Sequence, residues 1–399
     1  MDTEVSEFCS HCLPQKVRWH FRSRLSYYPE KIKGLLKKTI RTSYFTKFNI
    51  LAWSVLMDSF KILGLIVYES DIDEDKTQNR HLIFYREAKK RGLEIYAIKF
   101  FGKYTADFVF YFNGKKFFYE GNPIYSLTSN SSINIDDKFV VKKLLRSHNL
   151  PTAEGSIFIN KTKAKEYGKK IGFPLVVKPR SGSLGNHVSV NINSLAALEE
   201  AVTIAKQYRK DFIVEKYIEG RLYRATVIGK KYVFISERDA PNVIGDGYST
   251  IEELVRSKDL LESRHDAKNF TLHKIHVNNS LLKSKNYSVK SVPKKDQKIY
   301  VNEKAVLSFG CDVINCSDEM HPHNKKMFIE IAQITNNNLV GIDFICKDIS
   351  VPYKEQESAV LELNSLPYID MHENPSIGLK IPVSKIVWDF VLEEINKKD

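Results

Sequence analysis

No apolar stretch of this sequence runs uninterrupted for the length of a bilayer. The longest apolar segment, "NILAWSVLMDSFKILGLIVY" at residues 49–68, carries Asp58 and Lys61 in its middle, and charges at mid-bilayer are costly. It reads as a core helix running into a strand, so no membrane span is expected. A secretory signal is not expected either, because Asp2, Glu4, Glu7, Lys16 and Arg18 break up the start of the chain. Cysteine is scarce: five residues, an odd number, argue against a disulfide framework and for a reducing, cytoplasmic setting. Cys9 and Cys12 form a CxxC with His11 between them and His20 nearby, but Cys311 and Cys316 lack paired zinc-knuckle spacing. Free thiols, and no structural zinc, are therefore expected. The absence of repeats and low-complexity tracts excludes a solenoid. Neither GxGxxG nor GxxxxGK[ST] occurs, which excludes a Rossmann fingerprint and a Walker A loop.

What is present is the composition of an ordinary globular protein, 43% hydrophobic and 27% charged over 399 residues, enough for two or three domains. The net charge of +13 is unevenly spread, since residues 1–50 hold ten Lys/Arg against four Asp/Glu. There "RWHFRSRLSYYPEKIKGLLKKTIRTSYF" interleaves aromatic and basic side chains. Such a segment suits contact with RNA, an anionic surface or an acidic partner, although a solvated basic face on short helices accounts for it more simply.

Three regions are expected: a basic, helical segment at 1–47, an α/β domain at 48–130, and a mixed α/β domain at 131–399. In the second, a helical pattern at "NRHLIFYREAKKRGLEIY" precedes two alternating runs, "ADFVFYF" and "KKFFYEG". Asn113-Gly114 between them supplies the positive φ angles of a tight turn, which predicts a β-hairpin. In the third, helices are predicted at 136–148, 162–171 and 194–208, with strands at 174–178 and 211–215.

"FPLVVKPRSGSLGNHVSV" takes an apolar strand into Lys178 and then a loop of small residues. Such a loop lets backbone N–H groups approach an anion, and phosphate is the first candidate. Further on, "NLVGIDFICKDI" places Asp343 inside a buried strand, and "SAVLELNSLPYIDMH" places Glu362 and Asn364 two apart, hence on one strand face. Acids in apolar strands need compensation, either a Lys or Arg for each or a shared cation. Three oxygen ligands on neighbouring strands favour magnesium, which also bridges nucleotide phosphates.

In order, "DDKFVVKKLL", "GFPLVVKPRSGSLG", "VEKYIEG", "YRATVIG", "APNVIGDGYSTIEEL", "SDEMHPHN", "GIDFI" and "LELNSLP" resemble the ATP-grasp ligases, and most of all the ATP-grasp domains of cyanophycin synthetases and fused bacterial glutathione synthases. The resemblance covers residues 131–399 and is not matched upstream of them by the cyanophycin synthetases. It implies an ATP-grasp fold of two α+β subdomains around ATP, with a lid at about 151–213. Lys138 and Lys178 then contact phosphate, the loop from Ser181 through Gly182, Ser183 and Gly185 to Val188 closes over it, and Glu215 with Lys216, Tyr217 and Ile218 reads the adenine. Asp343, Glu362 and Asn364 match the metal ligands for one or two Mg2+, with Mn2+ as the alternative ion. Arg224 and Arg238 resemble the basic residues facing the transferred phosphate or acyl intermediate, and His372, just past the metal strand, is assigned to substrate positioning. Three departures stand out. Leu222 replaces an acid used on the ribose, Asn186 and His187 replace a basic residue and a glycine, and Pro367-Tyr368 replaces Pro-Gly.

The resemblance implies an ATP-dependent carboxylate–amine ligase that forms an amide through an acyl phosphate, acting on an amino acid, peptide or peptide-like metabolite. Loop histidines 321 and 323 are weaker candidates for a general base. The alternative is a nucleotide-binding regulatory module without turnover, with a nucleic-acid-associated protein ranked last. The basic N-terminus leaves room for a macromolecular acceptor, and a homodimer is open.

Overall fold

A computed structural model describes residues 55–397 apart from 56, 78, 121, 124–130, 132, 183–184, 262–263 and 265–273. The basic segment, the CxxC with His11 and His20, and Ser183 lie outside the described residues.

Upstream, β1 (Ile66–Glu69), β2 (Glu94–Phe100), β3 (Lys103–Phe112), β4 (Lys115–Glu120) and β5 (Asn122–Pro123) form a five-stranded antiparallel meander. Asn113 and Gly114, with φ of 49° and 71°, make the tight turn of the β3–β4 hairpin, the mirror-type geometry that matches strand twist. The predicted helical pattern at 79–96 divides: the helix covers Asn79–Lys90, and Gly92 at φ 70° turns the chain into β2. One face of this sheet packs on the helix Val383–Asn396 at the other end of the sequence. Trp388 is fully buried, donates its indole N–H to the Phe84 carbonyl at 2.9 Å, and meets Phe110 edge-on at 5.0 Å.

A second, four-stranded sheet has the order β6 (Gly155–Phe158), β9 (Phe212–Lys216), β7 (Leu175–Pro179), β8 (Ser189–Ile192). Helices Lys161–Ile171 and Leu195–Tyr208 cover one face around Leu175, Val177, Leu198 and Phe212. Asn160 and Ser194 cap these helices by accepting N–H bonds from Lys163 and Ala197, and Gly172 at φ 76° ends the first. Each cap satisfies a backbone donor that a helix start leaves unpaired.

The third sheet is built from β10 (Arg221–Ile228), β11 (Tyr232–Asp239), β14 (Asp312–Asn315), β15 (Leu339–Cys346) and β16 (Ser358–Asn364), in the order β14-β11-β10-β15-β16. Alternation sorts its side chains: Tyr223, Ala225, Val227, Val340, Ile342 and Phe344 join helices Lys138–Ser147 and Pro322–Ile334 in the largest core, leaving the even-numbered positions of β10 for the other face. Between β11 and β14 the chain forms a small lobe. It contains β12 (Asn242–Ile244), β13 (Lys298–Tyr300), helices Ile251–Asp259 and Asn279–Ser284, and a core of Val243, Ile251, Leu282, Ile299 and Val301.

Candidate active site: a cleft between two sheets

The four-stranded sheet, the large sheet and the small lobe enclose a cleft of about 1240 Å³. Antiparallel register explains how distant residues meet on its floor. Ser236, Arg224, Asp343 and Glu362 lie directly opposite one another across β11, β10, β15 and β16, and directly opposed residues share a face. In the next row Arg238 faces Leu222, and in the row on the other side Gly341 faces Asn364. A register shift between Asp343 and Phe344 leaves Leu361 as an extra residue in β16. This bulge changes the phase of the strand, so that Val360 and Leu363 both join the core while Glu362 and Asn364 line the cleft.

The charges on this floor are paired closely. Arg224 donates through Nε to Asp343 Oδ1, and Arg238 Nη2 lies 2.8 Å from Asp343 Oδ2. Burial alone would raise the Asp343 carboxyl, but the two guanidinium groups outweigh it and hold the pKa far below the usual range. Lys138 Nζ lies 2.7 Å from Glu362 Oε2 and 2.7 Å from the carbonyl oxygen of Gly182 in the glycine loop. Arg224 Nη1, Arg238 Nε and Asn364 Nδ2 are buried without a hydrogen-bond partner. Leaving such donors unmade costs about 1–3 kcal/mol each, which suits a polar group that arrives from outside.

At the opposite wall Glu215 is 2% exposed. One oxygen lies 2.6 Å from Lys178 Nζ and the other 2.5 Å from Lys142 Nζ. Burial pushes the Glu215 carboxyl up, but the two ammonium groups prevail and its pKa is lowered. Next to this group Val176, Ile218, Leu222, Ile345 and Leu361 form an apolar slot. It is contributed by several strands, and no local sequence signal announces it.

The glycine loop is fixed from behind. His187 is fully buried, with Nδ1 2.8 Å from the Ile204 carbonyl oxygen and its ring stacked on Tyr208 at 5.3 Å. Arg209 donates to Ser181 Oγ at 2.5 Å. A Cβ on Gly182, whose φ is 127°, would lie 2.9 Å from the Tyr208 ring. Asn186 lines the cleft.

Lys138, Lys178, Ser181, Gly182, Gly185, Glu215, Lys216, Tyr217, Ile218, Arg224, Arg238, Asp343, Glu362 and Asn364 all line this one cleft. His372 is not among the lining residues. It lies buried within the sheet face, 2.9 Å from Ser236 Oγ and 2.8 Å from Thr226 Oγ1, and burial together with Arg224 pushes its pKa down to about 3. His321 and His323 lie outside the cleft as well; His321 caps the helix Pro322–Ile334 by accepting from the His323 N–H. The sequence missed Lys142, and also His276, Asn278, Lys304 and Phe309 of the small lobe, which wall the cleft opposite the large sheet.

The donor set tests the metal expectation. Among the described residues no group of three or more His, Cys, Asp or Glu gathers. Two carboxylates and one amide, all hard oxygen donors on adjacent strands, fit a magnesium ion that keeps its remaining positions for water and phosphate. Among the described residues no helix is long and apolar enough to cross a membrane.

Residues 144–248 match the family model described as the D-ala D-ala ligase C-terminus. The chain is 32% identical over 259 residues to the cyanophycin synthetase of Trichormus variabilis, covering 64% of this chain and 29% of that one. It is 29% identical over 368 residues to the glutathione biosynthesis bifunctional protein GshAB of Clostridium perfringens, covering 88% and 46%. The likeness to the second relative therefore reaches upstream of residue 131. A bifunctional glutathione synthetase from Pasteurella multocida superposes with a TM-score of 0.60 at 24% identity, over 80% of this chain and 45% of that one. The chain thus spans less than half the length of each of these proteins. With the motifs in order on this fold, the chain is similar to the ATP-grasp ligases in sequence and in fold.

Proposed function

We propose that this protein is an ATP-dependent carboxylate–amine ligase that forms an amide through an acyl phosphate and releases ADP and phosphate. One observation carries the reading. A single cleft holds two lysines at its phosphate end, Lys138 and Lys178, facing two acids and an amide on the large sheet, Asp343, Glu362 and Asn364.

The reaction joins a carboxylate to the γ-phosphate of ATP, so it begins by bringing two anions together. Lys138 and Lys178 offset that repulsion at the phosphates, and the backbone N–H groups of the Ser181–Val188 loop add neutral donors. The apolar slot beside Glu215 takes the adenine, with the Lys216–Ile218 backbone at its edge. Asp343, Glu362 and Asn364 would hold magnesium, which when bound would supply positive charge to offset that of the transferred phosphoryl group. The unspent N–H groups of Arg224 and Arg238 point to an oxyanion, first the transferred phosphoryl group and then the tetrahedral intermediate formed by the amine. An acyl phosphate hydrolyses if water reaches it, and residues 151–213 act as the lid that keeps water out. The names of the relatives speak of cyanophycin, glutathione and D-ala D-ala, and the substrate here is assigned to an amino acid, a peptide or a peptide-like metabolite.

The test is a coupled ADP-release assay with ATP and magnesium against amino acids, dipeptides and cell-extract fractions, run beside Glu362→Ala. Acceptor-dependent ADP release that yields a new amide by mass and disappears in the folded variant supports the ligase. Nucleotide binding without turnover on any acceptor turns the reading to a regulatory module, for which Leu222 in the cleft wall is the favouring observation.

A further inference from the structure

Lys142 is placed where none of the family motifs assigns a role. It lies one helical turn beyond Lys138, on the helix Lys138–Ser147, whose start Asp137 caps by accepting from the Phe139 and Val140 N–H groups. Its side chain does not reach the cleft. It runs inward and is 4% exposed, with Nζ 2.8 Å from the Ala153 carbonyl oxygen and 2.5 Å from Glu215 Oε2. The other Glu215 oxygen holds Lys178, which does line the cleft. Gly155 stands opposite Glu215 in register and leaves no room for another arrangement, since a Cβ there would lie 2.4 Å from Glu215 Cβ.

We propose that Lys142 is a positioning residue for nucleotide binding: by occupying half of the Glu215 carboxylate, it prevents that carboxylate from neutralising Lys178 and leaves Lys178 with charge to spend on phosphate. This inference rests on the nucleotide-binding reading of the cleft. A buried carboxylate beside one lysine forms a neutral pair, which has little attraction for an incoming anion. The same carboxylate shared between two lysines leaves a net positive group whose cleft-lining member is Lys178. An uncharged residue at 142 would let Glu215 close fully on Lys178, and a polyphosphate would then have to break that pair before binding.

The charges around Lys142 are Glu215 and Lys178 from the four-stranded sheet and Arg146 from its own helix. Burial lowers the Lys142 ammonium, Glu215 restores part of the loss, and the result is a pKa of about 8. The proposal therefore carries a signature that packing alone would not give. A phosphate ester has its second ionisation centred at about pH 6, so by about pH 8 the charge of the ligand is nearly constant, and a loss of affinity there belongs to the protein.

The experiment is ADP binding to the full chain by calorimetry, with magnesium, from pH 6.5 to 9.5, for the unaltered protein, Lys142→Met and Lys142→Arg. The unaltered protein should lose about tenfold in affinity as pH rises through about 8, the effect of one charge acting over about 10 Å at an effective dielectric near 20. Lys142→Met should bind about tenfold more weakly at pH 7 with a flat profile. Lys142→Arg should keep the pH 7 affinity and lose the inflection, because arginine does not titrate in this range. Arginine also keeps the buried charge if the methionine variant fails to fold. A flat profile for the unaltered protein, or an inflection that survives in Lys142→Arg, would overturn the assignment. Failure of the unaltered protein to bind ADP at any pH would instead remove the nucleotide reading on which it rests, and the assignment with it.

Discussion

Lys138 joins the large sheet to the glycine loop, since one ammonium group lies 2.7 Å from both Glu362 Oε2 and the Gly182 carbonyl oxygen. A single cation therefore spans the residue expected to hold a metal and the loop expected to cover phosphate. Lys138→Met should weaken ADP binding about tenfold. It should also leave the 181–188 loop without its cross-cleft donor, so limited proteolysis of the nucleotide-free variant should cut there sooner than in the unaltered protein. Equal cutting rates would argue that the loop is held by Arg209 and Tyr208 alone.

The His187 substitution tests that rear support. His187→Ala removes a fully buried ring, its stacking on Tyr208 and its bond to the Ile204 carbonyl oxygen. Loss of about 2 kcal/mol is expected, read as a lower urea midpoint, together with a raised KM for ATP because the loop is less well ordered. A change in KM with no change in the midpoint would mean that the ring acts on the nucleotide side and not in packing.

Gly155→Ala should be costly for a steric reason. The new Cβ would meet Glu215 Cβ at 2.4 Å and the Val214 carbonyl oxygen at 2.8 Å, so β6 and β9 must separate. A stability loss of about 3 kcal/mol and a fall in nucleotide affinity should appear together; a variant with unchanged melting temperature would show that β6 can move aside freely.

Stability should fall on mild acidification. His372 has its pKa lowered from 6.5 to about 3 by burial and Arg224, so between those values the unfolded chain binds a proton that the native chain does not. Stability is then full above pH 6.5 and declines as pH falls towards 3, by up to about 1.4 kcal/mol per pH unit from this group. Below about pH 4 the lowered carboxyls of Glu215 and Asp343 add a second loss of the same sign. Urea unfolding across pH 4–7 should show the first slope, and His372→Gln should flatten it.

The elements that carry motifs were readable in advance, and the hairpin, the helix after Asp137 and the two acidic strands lie where spacing puts them. What escaped were pairings made between distant strands. Asp343 is held by arginines from β10 and β11, a relation fixed by sheet register and invisible in any local window. Lys142 is four residues from Lys138 and so on the same helical side, but nothing in the local sequence marks its ammonium as one that turns inward to Glu215. The bulge at Leu361 has no glycine or proline to mark it. Some motif residues turn out to build scaffold: Asn324 of "SDEMHPHN" donates to the carbonyl oxygens of Ile349 and Val351, and Asp246 of "GDG" accepts from the Tyr248 and Ser249 N–H groups to hold a turn. In the small lobe, the order of charged and apolar residues gave no hint that 276–309 faces the cleft.

Trp388 has a consequence for how the molecule comes apart. Its indole belongs to the helix Val383–Asn396, yet it is buried against Phe84 of the helix Asn79–Lys90 and Phe110 of the upstream meander, in one cluster with Ile228 and Leu339 of the large sheet. The boundary expected near residue 130 is therefore crossed by one continuous core. A fragment starting at residue 131 would expose that cluster to water and should aggregate, whereas the intact chain should melt its meander and its large sheet in a single transition.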